Sequence, residues 1–134
     1  MGVSDGYLLD THMLLWVLTE PERLPPSARE ILSDQANRLF VSSASAWEIS
    51  TKRRLGKLPQ ADSVVSGYAH HLRRAGVDTI EISDEHALLG GGLEWTHRDP
   101  FDRMIAATAI IEGLPLISID SAFTTLNGIR IIRS

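Results

Sequence analysis

Four acidic residues are candidates for chemistry because each follows a short apolar segment or opens the helix after one. Asp10 closes the run YLLD and Asp120 closes LISID. Glu48 lies in ASAWEIS, where Ser45 three residues earlier has the spacing of a capping box and places Glu48 in a first helical turn. Taken singly, each acid also has an ordinary explanation as a turn residue or a helix cap.

The fourth acid, Asp102, belongs to the motif RDPFD, which contains two carboxylates three residues apart. Asp99 suits an N-cap, because Pro100 then occupies the first helical position, where its missing N–H costs nothing. Asp102 becomes the third helical residue and shares a face with Ala106 and Ala109. Small residues on that face let the helix approach the rest of the fold, and we expect Asp102 to point over the edge of a sheet.

Apolar runs of strand length alternate with helical patterns along the whole chain. The predicted strands span residues 7–10, 39–42, 79–82, 116–119 and 129–132. The predicted helices span residues 11–18, 27–36, 44–54, 61–75, 84–89 and 100–112. Ser27 with Glu30 predicts a capping box at the second helix, and Gly76 predicts a cap at the end of the fourth. The last predicted helix before RDPFD dissolves into Gly90–Gly92.

This alternation predicts a three-layer α/β/α sandwich around a parallel sheet of about five short strands. In right-handed β–α–β units the carboxyl ends of the strands and the amino ends of the following helices lie at one edge of the sheet. Asp10, Glu48, Asp102 and Asp120 should therefore meet there, at the edge where such sheets bind ligands.

Crowded carboxylates repel each other unless a cation lies between them, so this arrangement indicates a metal site. Oxygen ligands without cysteine or clustered histidine favour Mg²⁺ or Mn²⁺ over zinc. A hard divalent ion in an acidic cleft is the apparatus of phosphodiester hydrolysis, because it activates water and neutralises the phosphate. The residues alone thus favour a metal site and a nuclease.

Composition sets broader limits. We expect residues 1–134 to form one domain, because this length provides a full hydrophobic core. The chain has no cysteine, which excludes disulfides and thiol chemistry and fits a cytoplasmic location. The net charge of −4 argues against nonspecific binding of nucleic acid by the whole surface. We expect neither a membrane span nor a signal peptide.

Four motifs in order, LLDTHMLLW, VSSASAWEIS, RDPFDRMIAATA and LISID followed by SAF, resemble those of PIN-domain (PilT N-terminal) ribonucleases, and most of all the VapC-type toxins of bacterial toxin–antitoxin pairs. The resemblance implies a metal-dependent endoribonuclease. It also implies that one or two Mg²⁺ or Mn²⁺ ions activate the attacking water without a covalent intermediate. The residues expected to hold the ions are Asp10, Glu48, Asp102 and Asp120.

The resemblance also implies accessory residues and partners. Thr11 follows the first acid as in the family, and Ser118 stands where threonine is common. We expect Asp99 to act primarily as a helix cap and only secondarily as an accessory residue of the metal site. The expected partners are an RNA substrate, a second copy of the chain in a homodimer, and a cognate antitoxin whose cationic tail would suit the acidic cleft.

Basic residues near the acids are candidate contacts for RNA or antitoxin. They are Lys52, Arg53, Arg98 and Arg103. Basic runs such as the one around Lys52 are more often solvated helix faces, and the alternative is a phosphate grip that positions RNA without reading its sequence. The alternative function is a catalytically inert PIN-like module that binds RNA or a protein partner.

Overall fold

A computed structural model gives the structure of residues 6–133, and residues 1–5 and 134 of the predicted domain lie outside the described part. The strands are β1 (Gly6–Leu9), β2 (Arg38–Ser42), β3 (Val77–Ile80), β4 (Leu116–Ile117) and β5 (Ile131–Ile132). The α-helices are α1 (Thr11–Thr19), α2 (Pro26–Ser33), α3 (Ser43–Arg54), α4 (Ala61–Val65), α5 (Tyr68–Ala75), α6 (Asp84–Gly92) and α7 (Pro100–Glu112). Two 3₁₀ helices, Pro21–Arg23 and Ser121–Thr125, complete the described elements.

The strands form a parallel sheet in the order β3-β2-β1-β4-β5. In the central strand, Leu8 pairs with Phe40 and Leu116, whereas Leu9 pairs with Val41 and Ile117. Because successive residues of a strand point to opposite faces, these two rows enter separate cores, one on each side of the sheet. Helices cover both faces, which confirms the predicted three-layer parallel architecture.

One core packs the helices α1, α2, α4 and α5 against the row of Leu9. The other packs α7 against the row of Leu8, through the small residues Ala106 and Ala109. Both alanines are almost fully buried, so the predicted small-residue face of α7 does allow close packing against the sheet. No helix within residues 6–133 is long and apolar enough to cross a membrane.

The predicted helix 61–75 is wrong as a single element. Gly67 adopts φ 72°, a left-handed conformation that interrupts the helix between α4 and α5. The ring of His71 donates to the carbonyls of Ser63 and Ser66, at 2.9 and 3.0 Å, and so binds backbone groups that the interruption leaves free. Gly76 at φ 72° ends α5, as predicted.

The other differences lie at helix ends and strand bounds. The predicted capping box at Ser27 is wrong: α2 begins at Pro26, and the buried hydroxyl of Ser27 has no hydrogen-bond partner among the described residues. β3 begins at Val77, two residues before its predicted start at residue 79, because the chain pairs with β2 as soon as Gly76 ends α5. Gly90 continues α6 instead of ending it. A Cβ at this position would approach the carbonyl oxygen of Arg103 to 3.3 Å, so glycine allows α6 and α7 to pack closely.

Candidate active site

The order of the strands reverses between β1 and β4, since the chain builds outward from β1 to β3 and then returns to the other side of β1. In open parallel sheets such a reversal leaves a crevice beyond the carboxyl ends of the two central strands. Asp10 follows β1 directly, and Ser118 and Asp120 follow β4. The topology therefore places two of the four predicted acids on the two sides of that crevice.

A cleft of about 450 Å³ lies there and contains all four acids. It is lined by Asp10, Thr11, His12, Glu48, Lys52, Asp99, Asp102, Ile119, Asp120 and Ser121. Within the described part of the chain, no three of these four acids bring ligand atoms within 4.8 Å of one another. The cleft is thus acidic and wide enough for a small charged ligand between the carboxylates.

Asp10 forms the floor of the cleft and is only 5% exposed. It is the N-cap of α1, where its Oδ1 accepts a 2.8 Å hydrogen bond from the backbone N–H of Met13. Burial raises the pKa of Asp10 from its ordinary value of 3.8 to about 6, although Ser118 and Met13 act in the opposite direction. The nearby Asp120 and Glu48 carboxylates raise the pKa further.

Glu48 lies in the second turn of α3 rather than the first, so the predicted capping box with Ser45 is wrong. The N-cap is Ser42, whose hydroxyl accepts from the N–H of Ala44 at 3.0 Å. The Ser45 hydroxyl instead contacts Thr11 at 2.9 Å in the interior. Glu48 is 4% exposed; its Oε2 binds Lys52, and its buried Oε1 has no hydrogen-bond partner among residues 6–133.

The RDPFD motif divides its two carboxylates between two tasks. Asp99 is the N-cap of α7, as predicted, and its Oδ1 accepts from the N–H groups of Phe101 at 2.8 Å and Asp102 at 3.2 Å. Asp102, 15% exposed, accepts a 2.7 Å hydrogen bond from Nε2 of His97. Burial raises the pKa of Asp102 to about 6, His97 opposes this rise, and the Asp99 and Glu48 charges add to it.

Asp120 is the most open of the four acids. It caps the 3₁₀ helix Ser121–Thr125, since its Oδ1 accepts from the N–H of Ala122 at 2.9 Å. The fully buried Ser118 hydroxyl accepts from the N–H of Asp120 at 3.0 Å and fixes the end of β4. Thr11, predicted as an accessory residue, lines the cleft with its hydroxyl bound to Ser45.

Among the four predicted cationic contacts, Lys52 is the one that lines the cleft. Partial burial alone would lower the pKa of Lys52, but its hydrogen bond to Glu48 and the charge of Glu48 outweigh this and raise the pKa. Arg53 forms an ion pair with Asp62, and Arg98 is exposed beside a neighbouring apolar groove.

Arg103 has a structural task that its prediction as an RNA contact did not include. Its guanidinium donates four hydrogen bonds of 2.6–2.9 Å to the backbone carbonyls of Gly90, Leu93, Trp95 and His97. Because these bonds use the planar donor set on the protein's own backbone, the geometry does not leave Arg103 free for a phosphate. Instead Arg103 fixes the segment that connects α6 to α7.

The sequence assigned no role to His12, which lines the cleft, or to His97, which forms a hydrogen bond with Asp102. A ring nitrogen of His97, with a carboxylate oxygen of Asp99 and one of Asp102, forms a group of ligand atoms within 4.8 Å of one another. His97 lies five residues before Asp102, and α7 begins at Pro100 between them. Their spacing therefore does not predict that the two side chains share one face of a helix. The only sequence signal was the place of His97 in the unit HRDPFD.

A doubly wound parallel sheet with carboxylates gathered at its strand-order reversal defines an α/β protein with an acidic cleft. Residues 7–128 match the PIN domain family. The chain belongs to the PIN domain family, which confirms the resemblance seen in the four motifs.

Curated relatives extend this result. The chain is 31% identical over 116 residues to Ribonuclease VapC22 of Mycobacterium tuberculosis, a match covering 84% of this chain and 85% of that protein. It is 38% identical over 58 residues to Ribonuclease VapC16 of the same organism, which covers 43% of this chain and less than half, 41%, of that relative.

Solved structures share the fold. VapBC2 from Rickettsia felis, bound to a DNA fragment from its promoter, superposes with a TM-score of 0.70 at 19% identity and covers 96% of this chain and 98% of that one. DNA-bound VapBC from Salmonella typhimurium gives a TM-score of 0.69 at 21% identity, with coverage of 96% and 97%. At these identities the likeness establishes the architecture of the sheet and its helices.

Proposed function

We propose that this protein is a metal-dependent endoribonuclease and the toxin of a type II toxin–antitoxin pair. The observation that carries the proposal is the placement of Asp10, Glu48, Asp102 and Asp120 around one cleft at the strand-order reversal of a PIN domain. The match to a relative named as a ribonuclease, which covers 84% of this chain and 85% of that protein, supports the same activity. We propose these four acids as the metal-holding and catalytic residues.

The cleft fits a hard divalent cation. Its donors are carboxylate oxygens, the ligand type that Mg²⁺ and Mn²⁺ prefer. The buried Oε1 of Glu48, which accepts no hydrogen bond within the described residues, is a ligand without a partner, and such groups are costly to bury. We therefore propose Mg²⁺ or Mn²⁺ as the cofactor, held by the four acids.

A bound divalent cation supplies positive charge for the phosphate and lowers the pKa of the attacking water. The chain's own groups orient the reaction. The N–H of Met13 fixes Asp10 on the floor of the cleft, and Lys52 places an ammonium group beside Glu48, where it can pair with a phosphate oxygen of the RNA. Water is the nucleophile, so no covalent intermediate with the protein forms.

Charge and exposed apolar surface support protein partners as well. The acidic cleft would accept an arginine- or lysine-bearing antitoxin tail, in competition with RNA. Trp47 is 55% exposed and Leu88 78% exposed, and large exposed apolar side chains of this kind occur at protein interfaces. We propose a cytoplasmic homodimer that binds a cognate antitoxin.

Purified protein and a long single-stranded RNA test this proposal. We expect cleavage with Mg²⁺ or Mn²⁺, none with EDTA, and none by Asp10→Asn or Asp102→Asn, both of which retain the helical circular dichroism spectrum. Asp34→Asn is the matched control, because Asp34 is an exposed acid outside the cleft whose carboxylate also accepts a backbone N–H, from Ala36. Full activity of Asp102→Asn would contradict the site, and RNA binding without cleavage at any metal concentration would favour the inert module.

A further inference from the structure

The contact between His97 and Asp102 gives one oxygen of this cleft-lining carboxylate a partner within the protein. Nε2 of His97 lies 2.7 Å from Oδ2 of Asp102, a short distance typical of charge-assisted hydrogen bonds. Within residues 6–133 the second oxygen, Oδ1, accepts no hydrogen bond from the protein. The two oxygens of Asp102 are therefore not equivalent: one is committed to the protein and the other is available to a ligand.

His97 is itself held both at its ring and at its backbone. The ring packs on the indole of Trp95, with 4.9 Å between ring centroids, and Trp95 is anchored by a 2.8 Å hydrogen bond from its Nε1 to Thr125. The carbonyl of His97 accepts from the guanidinium of Arg103 at 2.9 Å. Arg103 follows Asp102 in α7, so the helix that carries the acid also fixes the segment that carries its partner.

We infer that His97 is a positioning residue of this site, which holds Oδ2 of Asp102 so that Oδ1 is the oxygen offered to the cation. The inference rests on the proposed function, since it assigns Asp102 to a metal ion. Hydrogen bonds from a neighbouring side chain orient a ligating carboxylate, and their removal typically weakens metal binding about 10- to 100-fold. His97 acts through Asp102 and touches neither water nor phosphate in this role.

Two substitutions separate the hydrogen bond from the bulk of the ring. His97→Met keeps an apolar side chain of similar length and removes the donor. His97→Gln keeps an N–H donor near the position of Nε2. His70→Met is the matched control, because His70 is an exposed histidine on α5, away from the cleft.

Mn²⁺ is the probe, and the free ion is measured by electron paramagnetic resonance during titration of the full chain. We expect His97→Met to weaken Mn²⁺ binding about tenfold or more, and His97→Gln and His70→Met to change it far less. In RNA cleavage, His97→Met should raise the Mn²⁺ concentration that gives the half-maximal rate, while the rate at saturating Mn²⁺ changes much less. An unchanged melting temperature establishes that the effect is not unfolding.

Equal Mn²⁺ affinity in His97→Met and the unsubstituted protein would overturn the inference, as would an equal loss in His97→Met and His97→Gln. If His97→Met does not fold, the ring ¹⁵N resonances of His97 provide the test: Asp102→Asn should shift them, and unshifted resonances overturn the inference. An unsubstituted protein that neither binds Mn²⁺ nor cleaves RNA would remove the proposed function and this inference together. If that protein does both while His97→Met equals it, the inference alone fails.

Discussion

Replacing Asp10 by asparagine should stabilise the metal-free protein at neutral pH even as it abolishes activity. The Asp10 carboxylate is 5% exposed, and burial raises its pKa from 3.8 to about 6. Asparagine is nearly as good an N-cap as aspartate, so the hydrogen bond from Met13 remains. The variant therefore removes a buried charge and keeps the local structure.

The size of the effect follows from linkage between protonation and folding. Near pH 3 the carboxyl is largely protonated in both the folded and the unfolded state, and between about pH 4 and 6 it is ionised mainly in the unfolded state. Because the folded state then binds more protons, the free energy of unfolding falls as the pH rises through this range. With a pKa of about 6 in the folded state and 3.8 in the unfolded state, ionisation of Asp10 lowers the free energy of unfolding. The loss is about 1 kcal/mol at pH 4.5 and about 3 kcal/mol at pH 7.5.

Urea unfolding followed by circular dichroism in EDTA measures this difference. We expect Asp10→Asn to gain about 3 kcal/mol at pH 7.5 and about 2 kcal/mol less at pH 4.5. Asp34→Asn, the exposed control, should stay within about 0.5 kcal/mol of the unsubstituted protein at both pH values. A variant no more stable at pH 7.5, or one with the same gain at both pH values, would refute the reasoning, because the gain would then not come from a buried charge.

Further predictions concern the cap, the cofactor and two structural side chains. Asp99→Asn should retain most RNA cleavage, because asparagine still caps α7, and complete loss would place Asp99 among the essential ligands. Mg²⁺ should raise the melting temperature and EDTA should reverse the rise, whereas a melting temperature indifferent to Mg²⁺ counts against the site. Ser27→Ala should leave stability unchanged or slightly increased, because the buried hydroxyl has no partner among the described residues, and a loss of about 1 kcal/mol would instead support a capping box. Arg103→Met should lower the free energy of unfolding by about 2–4 kcal/mol in urea, while Arg73→Met, on an exposed position, changes it little.

The architecture was predictable from the sequence because its signals are local and agree with one another. Apolar runs marked each strand, and the limits of α7 follow directly from Asp99, Pro100 and Gly113, which cap, start and end it as expected. The gathering of the four acids in one cleft follows from parallel topology alone. The predicted end of α6 was wrong because Gly90, taken as a local helix-ending signal, stays helical and packs closely against α7.

The parts of the site that could not be predicted depend on side-chain partners distant in sequence. Ser45 has the spacing of a capping box with Glu48, but its hydroxyl turns to Thr11, 34 residues away, and Ser42 takes the cap. Arg103 looked like a free cation beside an acid, and its binding to four carbonyls becomes visible only once α6 and α7 are packed together. Spacing within a motif gives the position of a residue along an element, and not the group that its side chain finally contacts.

Two acidic side chains both line the cleft and cap a helix, and this bears on whether folding or cation binding comes first. Asp10 and Asp99 each commit one oxygen to the amides that open α1 and α7, where the positive end of the helix dipole lies. Part of the mutual repulsion in the cleft is therefore already offset by the backbone itself. The chain should reach its native shape first and bind the proposed cation afterwards, in contrast to small zinc domains that fold only around their ion. Under the proposed function, metal supply then governs when the protein becomes active and has little bearing on whether it folds.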